Sequence, residues 1–324
     1  MGDERPTFSI VIATHNRPQK VCALLESLQR LPSLSLKTVV VVDDSDAKVD
    51  LSDRFSNLSV RHICLEGGRV FLSKARNIGW RVCESDFVYF IDDDNVITET
   101  TLDGPFQVLL DHPEVAAVMP AVLYKENPNL VWVYATPLQP GKWGHILVGR
   151  NEPRVADLEG RLLPTDALPN AFVCRRDALD QIGGFDETLV MSSSADLAMR
   201  LESAGWKVYA HTGAFTLHDV EPPGRMGYWS SHRGVDPDRV FQDVRDWFIL
   251  MRRLHPQSKW FAVHATRRAL GFMVPNLLAY VIRRGPRGAR AVEMLLRGYL
   301  SGLKATIGPL PRADPESTWD YAQA

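Results

Sequence analysis

The stretch Phe87-Val88-Tyr89-Phe90-Ile91-Asp92-Asp93-Asp94-Asn95 decides how the rest of the chain is interpreted. Its first five residues are aromatic or β-branched and predict a buried strand. Three carboxylates follow at once, and like charges this close repel one another unless a cation neutralises them. Carboxylate oxygens suit Mg²⁺ or Mn²⁺, which keep room for substrate phosphates. The stretch therefore indicates a metal–diphosphate site, although a solvated acidic turn that caps the next helix would use the same residues.

Strands and helices are predicted to alternate over the first hundred residues. Strands are predicted at Phe8–Ala13, Val39–Val42, Val60–Leu65 and Phe87–Ile91, and helices at Gln19–Leu31 and Ser73–Cys83. Such alternation is typical of βαβ units and a parallel sheet. The second strand ends in Asp43-Asp44, much as the fourth ends in its three aspartates. Because a helix cap explains one acidic turn more easily than two, the repetition favours a nucleotide site at one edge of the sheet.

The pattern is less regular after the aspartates. Residues 124–165 show no clear periodicity, and we interpret them as a functional loop region or an insertion. The remaining predictions are helices at Thr98–Leu110, Asp177–Ile182 and Ala195–Gly205, and strands at Val115–Val122, Asn170–Arg175, Val208–Ala210 and Ala214–Leu217.

Composition and charge exclude several classes of protein. The chain has 324 residues, of which 45% are hydrophobic, as in ordinary globular proteins. Its formal net charge of −2 argues against a nucleic-acid-binding protein. The four cysteines lack the C-x-x-C spacing of zinc and redox motifs. Together with a start that lacks a signal-peptide pattern, they predict a cytoplasmic protein.

Six segments, in this order, resemble those of inverting family-2 glycosyltransferases with the GT-A fold. They are Ser9–Arg17 (SIVIATHNR), Val42–Ser45 (VDDS), Lys74–Gly79 (KARNIG), Phe90–Asp94 (FIDDD), Ile182–Glu187 (IGGFDE) and Asp196–Trp206 (DLAMRLESAGW). The resemblance runs from Phe8 to about Pro256. It implies an α/β fold with a Rossmann-like, mainly parallel central sheet flanked by helices. It also implies transfer of a sugar from a nucleotide-diphosphate donor, most simply a UDP-sugar, to an acceptor hydroxyl, with Mn²⁺ or Mg²⁺ as cofactor.

The resemblance assigns donor-site roles to individual residues. Four would line the pocket for the nucleotide base and ribose: Ala13, Thr14, Asp43 and Asp44. A carboxylate there can accept a hydrogen bond from the uracil imide. Arg76 would lie against the base or near the diphosphate, and Lys74 would assist it.

The resemblance also implies a metal shell. Asp92 and Asp94 match the DxD pair, with Asp93 between them in the donor site, and His218 matches the histidine that completes the shell. Asp94 would contact the metal and thereby serve catalysis directly. The metal would stabilise the negative charge that builds on the leaving diphosphate.

The sequence departs from the family where the catalytic base is expected. The usual Glu-Asp before the Arg-Leu helix is Ser193-Ser194 here, and a serine hydroxyl is not a base at neutral pH without help. Asp196 is our first candidate for the base, with Asp166 and Asp186 as alternatives. Ser194 would equally serve as a helix N-cap, with Asp196 favouring the positive helix N-terminus. A nucleotide-binding homologue with impaired transfer therefore stays open.

A nucleotidyltransferase of the same fold is a further alternative. It would need a glycine-rich phosphate loop after the first strand, and Thr14-His15-Asn16-Arg17 contains no glycine. For the glycosyltransferase, we expect residues 1–122 to form the nucleotide-sugar-binding half and residues 123–225 the acceptor half of one domain. A C-terminal helical region with a mobile tail would follow at residues 226–324.

The C-terminal region concentrates positive charge. Residues 251–304 contain 11 Lys and Arg residues and one acid, Glu293, whereas 26 basic and 38 acidic residues lie elsewhere. The net charges are +10 and −12. The apolar run Leu270–Ile282 is interrupted by Pro275 and Asn276 and is too short to span a bilayer. Such helices fit a peripheral position on the anionic inner face of a membrane, where a lipid-linked glycan could be the acceptor. A helical lid or a homo-oligomer contact fits equally, and so does a small-molecule acceptor.

Overall fold

A computed structural model of the chain describes residues 6–31, 35–49, 51, 54–67, 69–139, 144–222, 237–255, 261–268 and 274–307. The strands in this part of the chain are β1 (Phe8–Thr14), β2 (Leu36–Asp43), β3 (Val60–Cys64), β4 (Phe87–Ile91), β5 (Asn95–Ile97), β6 (Val115–Tyr124), β7 (Asn127–Val133), β8 (Leu162–Pro164), β9 (Ala171–Arg175) and β10 (Lys207–His218). The helices are α1 (Pro18–Arg30), α2 (Leu72–Arg81), α3 (Asp103–Asp111), α4 (Arg176–Ile182), α5 (Ser193–Ser203), α6 (Pro237–Leu254), α7 (Phe261–Arg268) and α8 (Val274–Ile307).

The strands form one sheet in the order β3-β2-β1-β4-β9-β6-β10-β5, with β7 beside β6 and β8 beside β10. Strand β1 pairs in parallel with β2 and with β4, and β6 pairs in parallel with β10. Strand β9 runs antiparallel between β4 and β6. Strand β3 pairs in parallel with β2, so strands β1 to β4, β6 and β10 all point the same way. This sheet confirms the predicted α/β class and its mainly parallel arrangement.

Two apolar cores lie on opposite faces of the sheet. Successive side chains of a strand point to opposite faces. In β1, Ile10 accordingly joins the core that contains Leu24 of α1, and Val11 joins the core that contains Ile78 of α2. Both faces of β1 are thus covered by helices, which explains its nearly unbroken apolar sequence.

The region 124–165, predicted to be irregular, contains β7, β8 and a short 3₁₀ turn at Ala156–Leu158. Strand β7 escaped prediction because only two of its residues, Val131 and Val133, are buried, so its apolar pattern is short. The two strands predicted around Val208 and Phe215 are one strand, β10. Its pairing with β6 shifts register between His211 and Phe215.

Helix α3 begins at Asp103, later than the predicted Thr98. Thr98 and Thr101 instead form a turn, in which the Thr101 hydroxyl accepts the Thr98 N–H at 2.6 Å. Short threonine side chains favour such turns over the interior of a helix.

The predicted C-terminal helical extension is confirmed, with α6 packed along α8. Glycines allow this close approach, because a Cβ on Gly298 would lie 2.7 Å from the carbonyl oxygen of Phe241. Among the helices in the described ranges, none combines the length and apolar character needed to cross a bilayer. The predicted mobile tail, residues 309–324, and part of the apolar run 270–282 lie outside the described residues.

Candidate functional site

The candidate site lies at the carboxyl ends of β1, β2 and β4. Thr14 at the end of β1 stands opposite Asp43 at the end of β2. Asp92 follows β4, the other parallel neighbour of β1, so the two acidic segments share one sheet edge as predicted. Strand β9 closes the site from the other side, where the Asp92 N–H donates to the carbonyl of Asn170 at 2.8 Å.

Asp92 is paired with Arg76 of α2. The Arg76 Nη2 lies 2.6 Å from Asp92 Oδ1. The guanidinium lies over the rings of Phe172 and Phe185, at 5.6 and 5.4 Å from their centroids. The apolar surroundings raise the pKa of Asp92, and the charge of Arg76 opposes this shift. Helix α2 therefore delivers a fixed cation to the first aspartate of the motif.

Asp93 ties β1 to the acidic segment. Its two oxygens accept hydrogen bonds from the Thr14 hydroxyl at 2.8 Å and from Arg17 Nη1 at 2.9 Å. Burial raises the pKa of Asp93 to about 6, although Arg17 and Thr14 oppose the shift. The resemblance assigns no site role to Arg17, although its position shortly after β1, at the same sheet edge, could have indicated one.

Asp94 lies beside His218 at the end of β10. Asp94 Oδ1 is 3.4 Å from His218 Nε2, and Asp94 Oδ2 is 3.3 Å from Arg17 Nη1. The backbone N–H of Asp219 donates to the Asp94 carbonyl at 2.8 Å, which fixes the two segments together. The structure thus brings two of the three predicted metal ligands next to each other.

The imidazole of His218 is buried and rests against Trp132 of β7. The two rings meet edge to face, with centroids 5.0 Å apart and an interplanar angle of 83°. Arg150 covers the Trp132 ring at 4.2 Å from its centroid. His218 Nδ1 is buried and has no hydrogen-bond partner among the residues that the structure describes. Packing by Trp132 therefore takes the place of a hydrogen bond in orienting the imidazole.

Asp94 and His218 fit a divalent cation as two protein ligands. Carboxylate oxygen suits Mg²⁺ and Mn²⁺, imidazole nitrogen is a ligand for transition metals, and an ion shared with a diphosphate needs few ligands from the protein. Within the described part of the chain, no three His, Cys, Asp or Glu side chains are grouped as a metal site. The Asp94–His218 pair thus suits an ion whose remaining ligands come from substrate and water. Asp92 faces Arg76 and does not join the pair.

The predicted base pocket contains two acids with different partners. Asp43 lies 3.2 Å from His62 Nε2 and accepts the Ser45 N–H at 2.8 Å. Burial alone would raise its pKa, but these hydrogen bonds outweigh burial and lower the pKa to about 2. Asp44 lies 2.9 Å from His15 Nδ1 and accepts the Val70 N–H. The remaining predicted donor residues are close in sequence: Ala13 precedes Thr14 on β1, and half-buried Lys74 precedes Arg76 on α2.

Asp196 belongs to a separate buried network. Its oxygens accept hydrogen bonds from Arg200 Nε at 2.7 Å and from Arg253 Nη1 at 2.5 Å, and its side chain is fully buried. Arg253 also donates to Asp186 at 2.6 Å, and Thr188 supplies the other Asp186 oxygen with two hydrogen bonds. Each oxygen of the two carboxylates thus already accepts a hydrogen bond, and both side chains are buried, an arrangement that does not favour either as a proton acceptor for substrate.

The other predicted candidates near α5 also differ from the sequence interpretation. Helix α5 has Ser192 at its N-cap position and no side-chain capping hydrogen bond, so the suggested cap at Ser194 is wrong. Asp166 accepts the Leu138 N–H and lies beside Glu202. Partial burial and the charge of Asp166 raise the pKa of Glu202 to about 7. These contacts of Asp166 differ from the Arg200 and Arg253 contacts of Asp196.

Comparison with known proteins gives the family. The model of glycosyl transferase family 2 matches residues 9–183, more than half of the chain. The pre-mycofactocin glycosyltransferase of Mycobacterium tuberculosis H37Rv is 30% identical over 226 residues, which cover 67% of this chain and 44% of that protein. The chain thus spans less than half the length of this relative.

Solved structures agree on the fold. Staphylococcus aureus TarS (residues 1–349) is 16% identical with a TM-score of 0.55, over 91% of this chain and 80% of that chain. The mannosyltransferase PcManGT from Pyrobaculum calidifontis, solved with GDP-Man and Mn²⁺, is 18% identical with a TM-score of 0.52, over 94% of this chain and 88% of that chain. Together with the family match, the sheet and its acidic edge lead to one conclusion: the chain belongs to glycosyltransferase family 2 and has the GT-A fold.

Proposed function

We propose that this chain is a metal-dependent glycosyltransferase that moves a sugar from a nucleotide-diphosphate donor to an acceptor hydroxyl. The observation that carries this proposal is the Asp94–His218 pair, which shares a sheet edge with Asp43 and Asp44. The cation site would receive the diphosphate end of the nucleotide. The two acids beside it could accept hydrogen bonds from the base at the other end. UDP is our first candidate for the nucleotide, because a carboxylate complements the uracil imide.

Each part of the proposed donor site has its own task. Asp94 and His218 would hold Mn²⁺ or Mg²⁺, and Asp92, which pairs with Arg76, would lie beside the ion. When bound, the ion would offset the negative charge that develops on the leaving diphosphate. Arg76 would hold Asp92 in place and oppose the rise in its pKa that burial causes. The region 1–122 would supply the nucleotide half, and residues 123–225 would supply the acceptor half.

The acceptor hydroxyl must lose a proton as it attacks. Asp196 as the base remains a prediction from the sequence, and its contacts with Arg200 and Arg253 do not support it. Neither Asp186 nor Asp166 has contacts that favour it more. The acceptor itself is proposed to be a lipid-linked glycan or a small molecule, and the mycobacterial relative makes pre-mycofactocin one molecule to test.

The second candidate is a nucleotide-binding protein that has lost transfer. Two observations favour it: Ser193-Ser194 stands where the family has Glu-Asp, and Asp196 is saturated by arginines. Such a protein would bind UDP with the metal but release no sugar. Measuring binding and turnover on the same preparation separates the two candidates.

The test is a calorimetric titration of UDP, with and without Mn²⁺, into the wild type and the variants Asp94→Ala and His218→Ala. We expect Mn²⁺ to strengthen UDP binding in the wild type and to have little effect in either variant. The exposed Asp111→Ala is the matched control and should behave as the wild type. Equal UDP affinities in every case would refute the metal–diphosphate assignment. Hydrolysis of UDP-, GDP- and dTDP-sugars by the wild type then identifies the donor.

A further inference from the structure

We propose that the exposed face of α8 docks on an anionic lipid surface through basic side chains and two leucines. The docking face comprises Arg290, Glu293, Leu296, Arg297, Leu300 and Lys304, all exposed. Leu300 and Leu296 are 64% and 48% exposed, more than any other large hydrophobic side chain in the described ranges. This proposal does not depend on the donor site or on transfer.

The sequence places these side chains on one side of the helix. At about 100° per residue, the six positions fall within roughly 120° of the helix circumference. Arg290, Arg297 and Lys304 recur every seven residues and form a nearly straight basic line, with Leu296 and Leu300 along one side of it. The stripe therefore presents a continuous basic and apolar surface about four turns long.

The opposite side of α8 is already used. Ala291, Leu295 and Gly302 are buried, and a Cβ on Gly302 would lie 2.8 Å from the Phe248 ring of α6. This packing fixes the rotation of α8, so the docking face must point away from the protein. A helix free to roll could hide its leucines, whereas α8 in this contact exposes them.

Charge argues against a second copy of the chain as the occupant. Two docking faces packed on each other would bring together six basic side chains and two acids. Glu293 lies 3.3 Å from Arg297 within its own helix, so its negative charge already offsets that of Arg297. Like charges brought this close are costly, whereas anionic headgroups would neutralise them.

The two leucines argue for lipid over a dissolved polyanion. Lys and Arg extend their charged ends to headgroups while neighbouring apolar side chains enter the acyl boundary. The charge of the whole chain fits this orientation, because residues 251–304 carry +10 and the remainder carries −12. An anionic leaflet would attract the C-terminal helices and repel the rest of the protein.

The test is co-sedimentation of the full chain with vesicles of phosphatidylcholine alone or with 30% phosphatidylglycerol, at about 50 mM and about 500 mM NaCl, since screening grows with salt. We expect binding only to the anionic vesicles, and loss of most binding at the higher salt. The double variants Arg297→Glu/Lys304→Glu and Leu296→Ser/Leu300→Ser should each lower the bound fraction at least fivefold.

Matched controls separate the docking face from general charge and apolar area. Arg30→Glu/Lys37→Glu reverses the charge of two exposed basic residues outside the C-terminal helices. Ile146→Ser/Leu147→Ser replaces two apolar side chains there that are 40% and 42% exposed. Both should bind as the wild type. Absence of sedimentation, or equal loss in the controls, overturns the proposal. So does a dimer in light scattering that Leu300→Ser dissociates, because the second copy would then be the occupant.

Discussion

Arg253 of α6 donates to Asp196 of α5 over 2.5 Å, and through its other nitrogen it donates to Asp186 over 2.6 Å. One arginine from the C-terminal helices thus joins two buried carboxylates that precede and begin α5. Asp246 of α6 makes a second connection, because it accepts hydrogen bonds from the N–H groups of Val190 and Met191 at 2.6 and 2.7 Å. Helix α6 is therefore bonded to the segment that leads into Ser193-Ser194.

This geometry makes the first prediction, that Asp196→Asn acts on stability before it acts on chemistry. Removing one partner of a buried ion pair typically costs about 3–5 kcal/mol. We expect a loss of that order in the free energy of unfolding, measured by urea denaturation. The folded fraction should still bind UDP with Mn²⁺, because Asp196 lies in a network separate from Asp94.

Asp186→Asn is the matched variant, because Asp186 shares Arg253 but is a different candidate for the base. We expect a comparable loss of stability from it. If Asp196→Asn instead keeps wild-type stability and loses transfer with an altered pH–rate profile, Asp196 is the base and the structural interpretation of the network is wrong.

The second prediction concerns Trp132, which packs edge to face on His218. Outer-shell partners of metal ligands typically contribute 10–100-fold to metal affinity. We therefore expect Trp132→Ala to weaken Mn²⁺ binding by about 10–100-fold, measured from the electron paramagnetic resonance signal of free Mn²⁺ with UDP present. Trp132→Phe keeps a ring in contact and should restore most of the affinity.

Trp206→Ala is the control for Trp132→Ala. The Trp206 indole N–H donates a hydrogen bond to Gln181 at 2.7 Å, in another part of the domain. It should leave Mn²⁺ affinity unchanged. Equal Mn²⁺ affinities in Trp132→Ala and the wild type would show that the ring contact does not orient the imidazole.

Strands and the acidic sheet edge could be predicted because their signals are local. The apolar runs before Asp43 and Asp92 place both acids at carboxyl ends of strands, and β1–β2 and β1–β4 pairing then brings them together. Trp132 could not be predicted to touch His218, because 86 residues separate them in the sequence and β7 has little apolar periodicity. The same holds for Arg253, which reaches Asp196 from 57 residues away.

The third prediction is that Arg76 supports donor binding through Asp92. A hydrogen bond to a charged group is worth about 1.5–3 kcal/mol, so Arg76→Ala should weaken Mn²⁺-dependent UDP binding by roughly 10–150-fold. Arg76→Lys keeps the charge but loses the planar contact with Phe172 and Phe185, and it should recover only part of the affinity. Calorimetry of both variants with Mn²⁺ measures this. Unchanged binding in Arg76→Ala would remove Arg76 from the donor site.

The fourth prediction uses the pKa of Asp43, which hydrogen bonds lower to about 2 in the folded protein. In the unfolded chain an aspartate titrates near pH 4, so the folded state favours the ionised form. The stability this provides is fully present above about pH 4 and is lost as the pH falls towards 2. Two pKa units correspond to about 2–3 kcal/mol in the free energy of unfolding.

We therefore expect Asp43→Asn to be less stable than the wild type by about 2 kcal/mol between pH 5 and 7, with the difference shrinking as the pH falls to 3. Urea denaturation at pH 7, 5, 4 and 3 measures this, and the exposed Asp111→Asn should show no such trend. A difference that stays constant from pH 7 to pH 3 would mean that the shape of the side chain, and not its charge, holds the end of β2. The charge of Asp43 bears on the proposed donor site, because only the ionised carboxylate offers hydrogen-bond acceptors and no donor. In the proposed base pocket, an ionised Asp43 would favour a nucleotide base that donates a hydrogen bond, as the uracil imide does.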